Sequence, residues 1–204
     1  MDCQCLAKSL VGDAMKENLR PGETFPDIEL PSHEDEVVKL SAIIRGFPTA
    51  VVFSRGYFCP KDRRQLLNYV AYLQPELIVN YCRLVIVSVD NPPVSKEVRD
   101  GIGATCPFLC DADRKIIREL DIVDTTDPVH GPVAIPYTFL LDGDLSIYKI
   151  YNGWWYVGRP TVEEIRTDFR ALLSRRADWW YGRTPAPYAA RESDATSRLF
   201  DPRP

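Results

Sequence analysis

The sequence contains neither a long apolar run nor an excess of basic residues. No stretch approaches the roughly 20 consecutive apolar residues of a transmembrane helix, so we expect no association with a membrane. The formal net charge is −4, which argues against nucleic-acid binding driven by bulk charge. The chain also lacks a phosphate-binding P-loop, a dinucleotide-binding glycine motif and an internal repeat. Its first 20 residues lack the basic-then-apolar order of a secretory signal, which predicts a cytoplasmic protein.

Cysteine is too sparse and too irregularly spaced for a small disulfide-stabilised scaffold. Six cysteines occur among 204 residues, at positions 3, 5, 59, 82, 106 and 110. In the cytoplasm most thiols stay reduced. The Cys3-x-Cys5 pair has two readings, a metal-binding or resolving pair and two exposed thiols at a frayed end. We favour the second, because two ligands do not close a metal site, and we expect no metal ion or other cofactor.

The remaining composition is that of a globular protein with 45% hydrophobic and 26% charged residues. We predict an N-terminal segment over residues 1–20, one domain over residues 21–175, and an extended or disordered tail over residues 176–204. Strand-like and helix-like patterns alternate along the domain, which indicates an α/β fold. The strands are predicted in residues 25–31 and 37–41 (two short ones around a polar turn), 49–55, 83–90 and 106–111, and a strand from 135 is followed by a tight Asp-Gly turn at 142–143 and an antiparallel partner at 147–151. The helices are predicted in 60–80, 95–102, 114–120 and 161–175.

The stretch from residue 49 to residue 73 carries the strongest chemical signal. An apolar run, Ala-Val-Val-Phe at 50–53, leads through a short turn to Cys59 and Pro60, and a helical pattern follows. Pro60 suits the first helical position, where its missing N–H costs nothing, so Cys59 is predicted as the N-cap. The positive end of a helix dipole favours a thiolate. This position therefore suits a redox or nucleophilic cysteine, although a small apolar residue at a strand–helix junction is the alternative explanation.

The residues around this cysteine, Arg-Gly-Tyr-Phe-Cys-Pro-Lys-Asp at 55–62, resemble an active-site segment of the thioredoxin-like superfamily. The similarity is to the peroxiredoxin-like branch, the alkyl hydroperoxide reductase/thiol-specific antioxidant family, and it extends over residues 21–175. It implies a thioredoxin-like three-layer α/β sandwich with an N-terminal β-hairpin and a mixed central sheet. It also implies an antioxidant oxidoreductase in which Cys59 attacks a hydroperoxide or a disulfide. Thioredoxin or a low-molecular-weight thiol would then be the reductant, and a homodimer is expected.

The resemblance suggests which residues surround the nucleophile. Arg55 is the candidate for stabilising the thiolate, and Tyr57 and Phe58 would shape the substrate pocket. The Ile135–Pro136 step before a strand is similar to the cis-proline site of thioredoxin-like proteins. We therefore expect a cis peptide bond there, with Pro136 lining the pocket beside Cys59.

Three positions depart from the family pattern. Gly56 stands where peroxiredoxins carry Thr or Ser, Pro136 stands where they carry an arginine, and Asp62 replaces a second cysteine. Cys106 and Cys110 are candidates for a resolving thiol, provided that the fold brings one of them near Cys59.

The departures leave an alternative open, a thioredoxin-fold binding or scaffolding protein without turnover. Exposed aromatic residues often anchor interfaces, and the aromatic clusters at 154–156 and 179–181 would supply a contact surface in such a protein. Packing of the last helix onto the sheet is the other explanation of these clusters.

Overall fold

The computed structural model describes residues 19–153 and 158–176. The Cys3-x-Cys5 pair, the aromatic clusters at 154–156 and 179–181 and nearly all of the predicted tail lie outside the described residues. None of the helices in the described ranges is long and apolar enough to cross a bilayer.

The described part contains nine strands and six α-helices, in the order expected for an α/β domain. The strands are β1 (Glu29–Pro31), β2 (Val37–Lys39), β3 (Thr49–Ser54), β4 (Arg83–Ser88), β5 (Phe108–Cys110), β6 (Val123–Asp124), β7 (Val133–Ala134), β8 (Tyr137–Leu141) and β9 (Ile147–Asn152). The helices are α1 (Leu40–Ile44), α2 (Pro60–Asn68), α3 (Gln74–Val79), α4 (Pro92–Gly101), α5 (Lys115–Glu119) and α6 (Val162–Leu173). A π-helical segment, Tyr69–Leu73, joins α2 to α3 just before Pro75, whose missing N–H cannot serve a regular α-helical turn.

The central sheet has five strands in the order β5-β4-β3-β8-β9. Strands β3, β4 and β5 are parallel, whereas β8 is antiparallel to β3 and β9 is antiparallel to β8. A separate hairpin pairs β1 with β2, and a short one pairs β6 with β7. The predicted mixed sheet and N-terminal hairpin are therefore confirmed.

Apolar side chains cover both faces of this sheet. Val51, Phe53 and Val85 point into a core that includes residues of the β1–β2 hairpin, α1 and α5. Ala50 and Val52 point to the other face, into a core with α2, the π-helical segment, α3 and α6. Alternation along buried parallel strands thus gives one core on each face, which is the predicted three-layer sandwich.

The expectation of a cis peptide bond at Ile135–Pro136 is wrong. All peptide bonds of the described residues are trans. Pro136 instead forms the middle of a tight turn between β7 and β8, in which the Tyr137 N–H donates to the Ile135 carbonyl at 2.8 Å. The trans form of an X–Pro bond is the more stable one by about 0.5–1 kcal/mol. A three-residue turn of this kind is common at the start of a strand.

Candidate active site around Cys59

Cys59 lies at the junction of the central strand and helix α2. Strand β3 is buried at every position, and it ends at Ser54. Helix α2 begins at Pro60, with Cys59 as its N-cap in an extended conformation. The Cys59 N–H donates to the Gly56 carbonyl at 3.1 Å, and the Cys59 carbonyl accepts from the Arg63 N–H at 3.0 Å. The predicted N-cap position is confirmed, and the residue is only 5% exposed.

The arginine that contacts the sulfur is Arg159, which the sequence analysis did not single out. Its Nη2 lies 3.9 Å from the Sγ of Cys59, and its Nε donates to an Asp62 carboxylate oxygen at 2.5 Å. Arg159 lies just before α6, 100 positions after Cys59, and no local motif marks it. Only the packing of the α6 region against α2 brings the guanidinium to the thiol.

Asp62 connects this arginine to the active-site loop. It is the third residue of α2, and only 2% of its surface is exposed. Its carboxylate accepts from the Arg55 backbone N–H at 2.8 Å as well as from Arg159. The position that carries a second cysteine in the family pattern therefore carries an acid that binds the arginine.

The loop before Cys59 has a backbone that favours glycine at position 56. Gly56 has φ +119°, in the region that L-residues rarely adopt. A Cβ atom there would lie 3.0 Å from Oδ1 of Asp90 and 3.2 Å from the Phe58 ring. The family's Thr or Ser thus conflicts with this loop conformation. The Gly56 N–H donates to the Ser54 hydroxyl at 3.2 Å, which holds the turn at the end of β3.

Asp90 anchors the same loop from the neighbouring strand. Its Oδ2 accepts from the Tyr57 N–H at 2.9 Å and from the Ser88 hydroxyl at 2.6 Å. Burial raises the pKa of Asp90, and these two donors oppose that rise. The end of β4 therefore fixes the backbone two residues before Cys59.

The Arg55 side chain points to the loop that follows β6. Its Nη2 lies 2.9 Å from Oδ2 of Asp127 and 3.5 Å from Oδ2 of Asp124. Asp127 also contacts Nδ1 of His130 at 3.1 Å. Backbone N–H groups of His130 and Val129, together with the imidazole, lower the pKa of Asp127 to about 2. The guanidinium of Arg55 thus serves this ionic cluster, whereas that of Arg159 reaches the sulfur.

The two aromatic residues before Cys59 differ in exposure. Phe58 stacks face to face on His130, with ring centroids 3.6 Å apart, and it packs against the core of the β1–β2 side. Tyr57 meets Phe58 edge to face and is 62% exposed. A Cβ on Gly153 would lie 2.0 Å from the Pro136 carbonyl oxygen, so Pro136 packs closely against the end of β9. A substrate pocket formed by Tyr57, Phe58 and Pro136 stays a prediction.

The other three described cysteines are free and buried. Burial raises the pKa of Cys82 and of Cys106 to about 12, and it also raises the pKa of Cys110. Cys110 ends β5 in register with Ser88, which itself pairs with Ser54 at the end of β3, while Cys106 precedes the strand. A resolving role for Cys106 or Cys110 also stays a prediction. Within the described ranges, no group of three or more His, Cys, Asp or Glu side chains could hold a metal ion.

Comparison with solved structures shows which fold this arrangement belongs to. Peroxidoxin BcpB from Mycobacterium tuberculosis is similar with a TM-score of 0.65 and 16% identity, over 78% of this chain and 99% of that one. A mutant of PrxQ from Xylella fastidiosa has a TM-score of 0.66 and 17% identity, over 77% and 99% of the two chains. A mutant of peroxiredoxin 6 from Arenicola marina has a TM-score of 0.66 and 21% identity, over 81% of each chain.

These likenesses confirm the thioredoxin-like fold. Comparison with curated protein sequences finds no match. Residues 21–150, however, match the AhpC/TSA family, and this range is well over half of the chain. The chain therefore belongs to the AhpC/TSA family of thiol-dependent oxidoreductases.

Proposed function

We propose that Cys59 is the nucleophile of a thiol peroxidase that reduces hydroperoxides. The observation that carries this proposal is the placement of Cys59 at the N-terminus of α2 with the Arg159 guanidinium 3.9 Å from its sulfur. A helix N-terminus and a nearby cation both favour the thiolate, which is the reactive form of cysteine. Among the described cysteines, Cys59 alone combines these two features.

The chemistry has two stages. The Cys59 thiolate attacks one oxygen of the hydroperoxide, the S–O bond forms, and the O–O bond breaks. The sulfur is oxidised to a sulfenic acid, and the leaving alkoxide takes a proton and departs as an alcohol. A thiol then condenses with the sulfenic acid to give a disulfide and water, and a second thiol releases the reduced Cys59.

Arg159 is proposed to replace the groups that the family places around the peroxide. Gly56 and Pro136 occupy the positions of the usual Thr or Ser and arginine. The Arg159 guanidinium offers N–H donors both to the thiolate and to the oxygen that leaves, where negative charge develops. Asp62 acts as a positioning residue, because its carboxylate holds Nε of Arg159 and orients the remaining N–H groups towards the sulfur.

This arrangement favours a peroxidase over a dithiol–disulfide exchanger and over a scaffold without turnover. A dithiol–disulfide exchanger needs a second thiol in the next turn, and Asp62 stands there instead. A scaffold without turnover would lack the catalytic groups of the family, and Arg159 with Asp62 offers a replacement for them. We propose the cytoplasm as the working compartment, since thiol reductants maintain reduced cysteines there.

Replacing the nucleophile tests the proposal. Cys59→Ser should abolish thiol-dependent consumption of hydrogen peroxide, whereas Cys82→Ala, the matched control at a buried cysteine, should retain it. Consumption is followed with purified full-length protein, hydrogen peroxide and dithiothreitol. Full activity in Cys59→Ser would show that the proposed nucleophile is wrong.

A further inference from the structure

An open groove of about 800 Å³ lies beside the proposed nucleophile, between α2, the π-helical segment and the start of α6. Arg159 lines this groove and also contacts the Cys59 sulfur. Lys61, two positions after Cys59, also lines the groove. A molecule in the groove would therefore lie against the guanidinium that touches the reacting atom.

The charge of the groove is opposite to that of the whole chain. Four basic side chains line it and only one acidic side chain does, although the chain has a net charge of −4. Arg64 is exposed, and Arg166 is held in place by Glu76 at 2.6 Å and by Glu163. The guanidinium groups of Arg166 and Arg159 already donate to carboxylates, of Glu76 and Glu163 and of Asp62. The exposed Arg64 can bind a further carboxylate through paired N–H donors, so the groove suits an anionic ligand.

The size of the groove suits a small peptide-like molecule. The Tyr69 hydroxyl donates to the Pro160 carbonyl at 2.7 Å and accepts from Nε2 of Gln65 at 3.1 Å, so these three lining residues are held together. Along α2, Lys61 and Asn68 are separated by a rise of about 10 Å. An extended tripeptide has about the same length. The volume also falls within the range of small-molecule sites, about 300–1,000 Å³.

The described part of the chain offers no ready thiol to reduce an oxidised Cys59. Cys82, Cys106 and Cys110 are buried, and burial holds the pKa of each thiol above its ordinary value. Asp62 occupies the position of a nearby second cysteine. A thiol from outside the described domain must therefore reach the sulfur.

We propose that this groove binds the reductant, and that the reductant is a low-molecular-weight thiol carrying carboxylate groups. The inference rests on the proposed function of Cys59. The bound thiol attacks the Cys59 sulfenic acid, an S–S bond forms, the S–O bond breaks, and water leaves with the thiol proton. A second molecule of the same thiol attacks the mixed disulfide, which yields the oxidised dimer of the small thiol and reduced Cys59.

The test compares two adjacent arginines on α2. Arg64 lines the groove, whereas Arg63 is also exposed but does not line it. Full-length wild type, Arg64→Glu and Arg63→Glu are oxidised with one equivalent of hydrogen peroxide. The rate of sulfenic acid reduction is then measured with glutathione, which is anionic, and with cysteamine, which carries an amine and no carboxylate. Both variants change the net charge equally, so a bulk electrostatic effect cancels between them.

We expect Arg64→Glu to slow reduction by glutathione about five- to tenfold relative to Arg63→Glu, and not to slow reduction by cysteamine. Equal glutathione rates in the two variants would overturn the inference. So would a wild-type disulfide between Cys59 and Cys3 or Cys5 that forms before glutathione is added. The oxidation step is scored separately, because wild type that fails to consume the single equivalent of peroxide refutes the proposed function and not the groove.

Discussion

Asp62→Asn probes the ion pair beneath Cys59. In the wild type, the Asp62 carboxylate accepts from the Arg55 N–H at 2.8 Å and from Nε of Arg159 at 2.5 Å. The Asp62 side chain is 2% exposed and the Arg159 side chain is 14% exposed. The asparagine amide retains one acceptor oxygen, but it has no negative charge to balance Arg159. Its NH₂ group would also face an N–H group that itself donates, of either Arg55 or Arg159. Removing one partner of a buried ion pair costs about 3–5 kcal/mol. We take the lower end, about 3 kcal/mol, because the guanidinium keeps some contact with solvent.

The expected shift is large enough for a thermal assay. In a protein of this size, 1 kcal/mol corresponds to about 2–4 °C in Tm, so Asp62→Asn should lower Tm by about 6–12 °C. Asp100→Asn is the control, because its pair with Arg99 is exposed and should contribute less than about 1 kcal/mol. The measurements are the circular dichroism melting curve and the rate of peroxide consumption.

A double variant separates stability from positioning. Asp62→Leu combined with Arg159→Met replaces the ion pair by apolar side chains, which is often neutral or stabilising. We expect its Tm to lie above that of Asp62→Asn while its peroxidase rate stays low. An Asp62→Asn protein with unchanged Tm and unchanged peroxide consumption would refute the argument that this carboxylate positions Arg159.

Three further predictions concern other parts of the domain. Gly56→Ala should lower the free energy of unfolding, measured in urea, by about 1–3 kcal/mol. Gly22→Ala should lower it less, because Gly22 also has a positive φ but a Cβ atom there would meet nothing within 4 Å. Iodoacetamide at pH 8 should not alkylate Cys82 or Cys106 until urea is added, since burial raises both pKa values to about 12. Mass spectrometry of the treated protein measures the alkylation. Asp127 has its pKa lowered to about 2, below the ordinary value near 3.9, so its contribution to stability is complete above about pH 5 and is lost as pH falls towards 2. Urea midpoints measured across that range should therefore fall more steeply in wild type than in Asp127→Asn.

The position of Cys59 could be predicted because its signals are local. A run of β-branched and aromatic residues identifies a buried strand, and Pro60 identifies the first turn of a helix. Together they fix the cysteine at a strand–helix junction without reference to the remainder of the chain. The resemblance over residues 55–62 then supplied the family.

Arg159 could not be predicted, because its role depends on contacts between distant parts of the chain. It lies beyond β9, and only the packing of α6 onto the α2 side of the sheet brings it to Asp62. Arg55 was the plausible candidate by proximity in sequence, yet the loop directs its side chain to Asp124 and Asp127. A backbone turn determines that direction, and residue types alone do not encode it.

The hairpin between β8 and β9 shows the same limit. The Asp-Gly pair at 142–143 predicts a tight turn, but five residues separate the strands, with positive φ at Leu145. Gly143 is required for another reason, since a Cβ there would lie 2.0 Å from the Gly46 carbonyl oxygen. The backbone of Gly46, far away in the sequence, lies so close that only glycine fits at position 143. No local sequence pattern indicates this contact.

The most direct test of the account is single-turnover mass spectrometry with a sulfenic-acid trapping reagent. Wild type and Arg159→Met are treated with one equivalent of hydrogen peroxide, and each cysteine is scored over time. The account predicts an adduct on Cys59 alone among the four described cysteines, and formation at least about tenfold slower in Arg159→Met, because a donor to the developing charge is lost. An unmodified Cys59 in wild type, or an equal rate in the variant, would contradict the central claim.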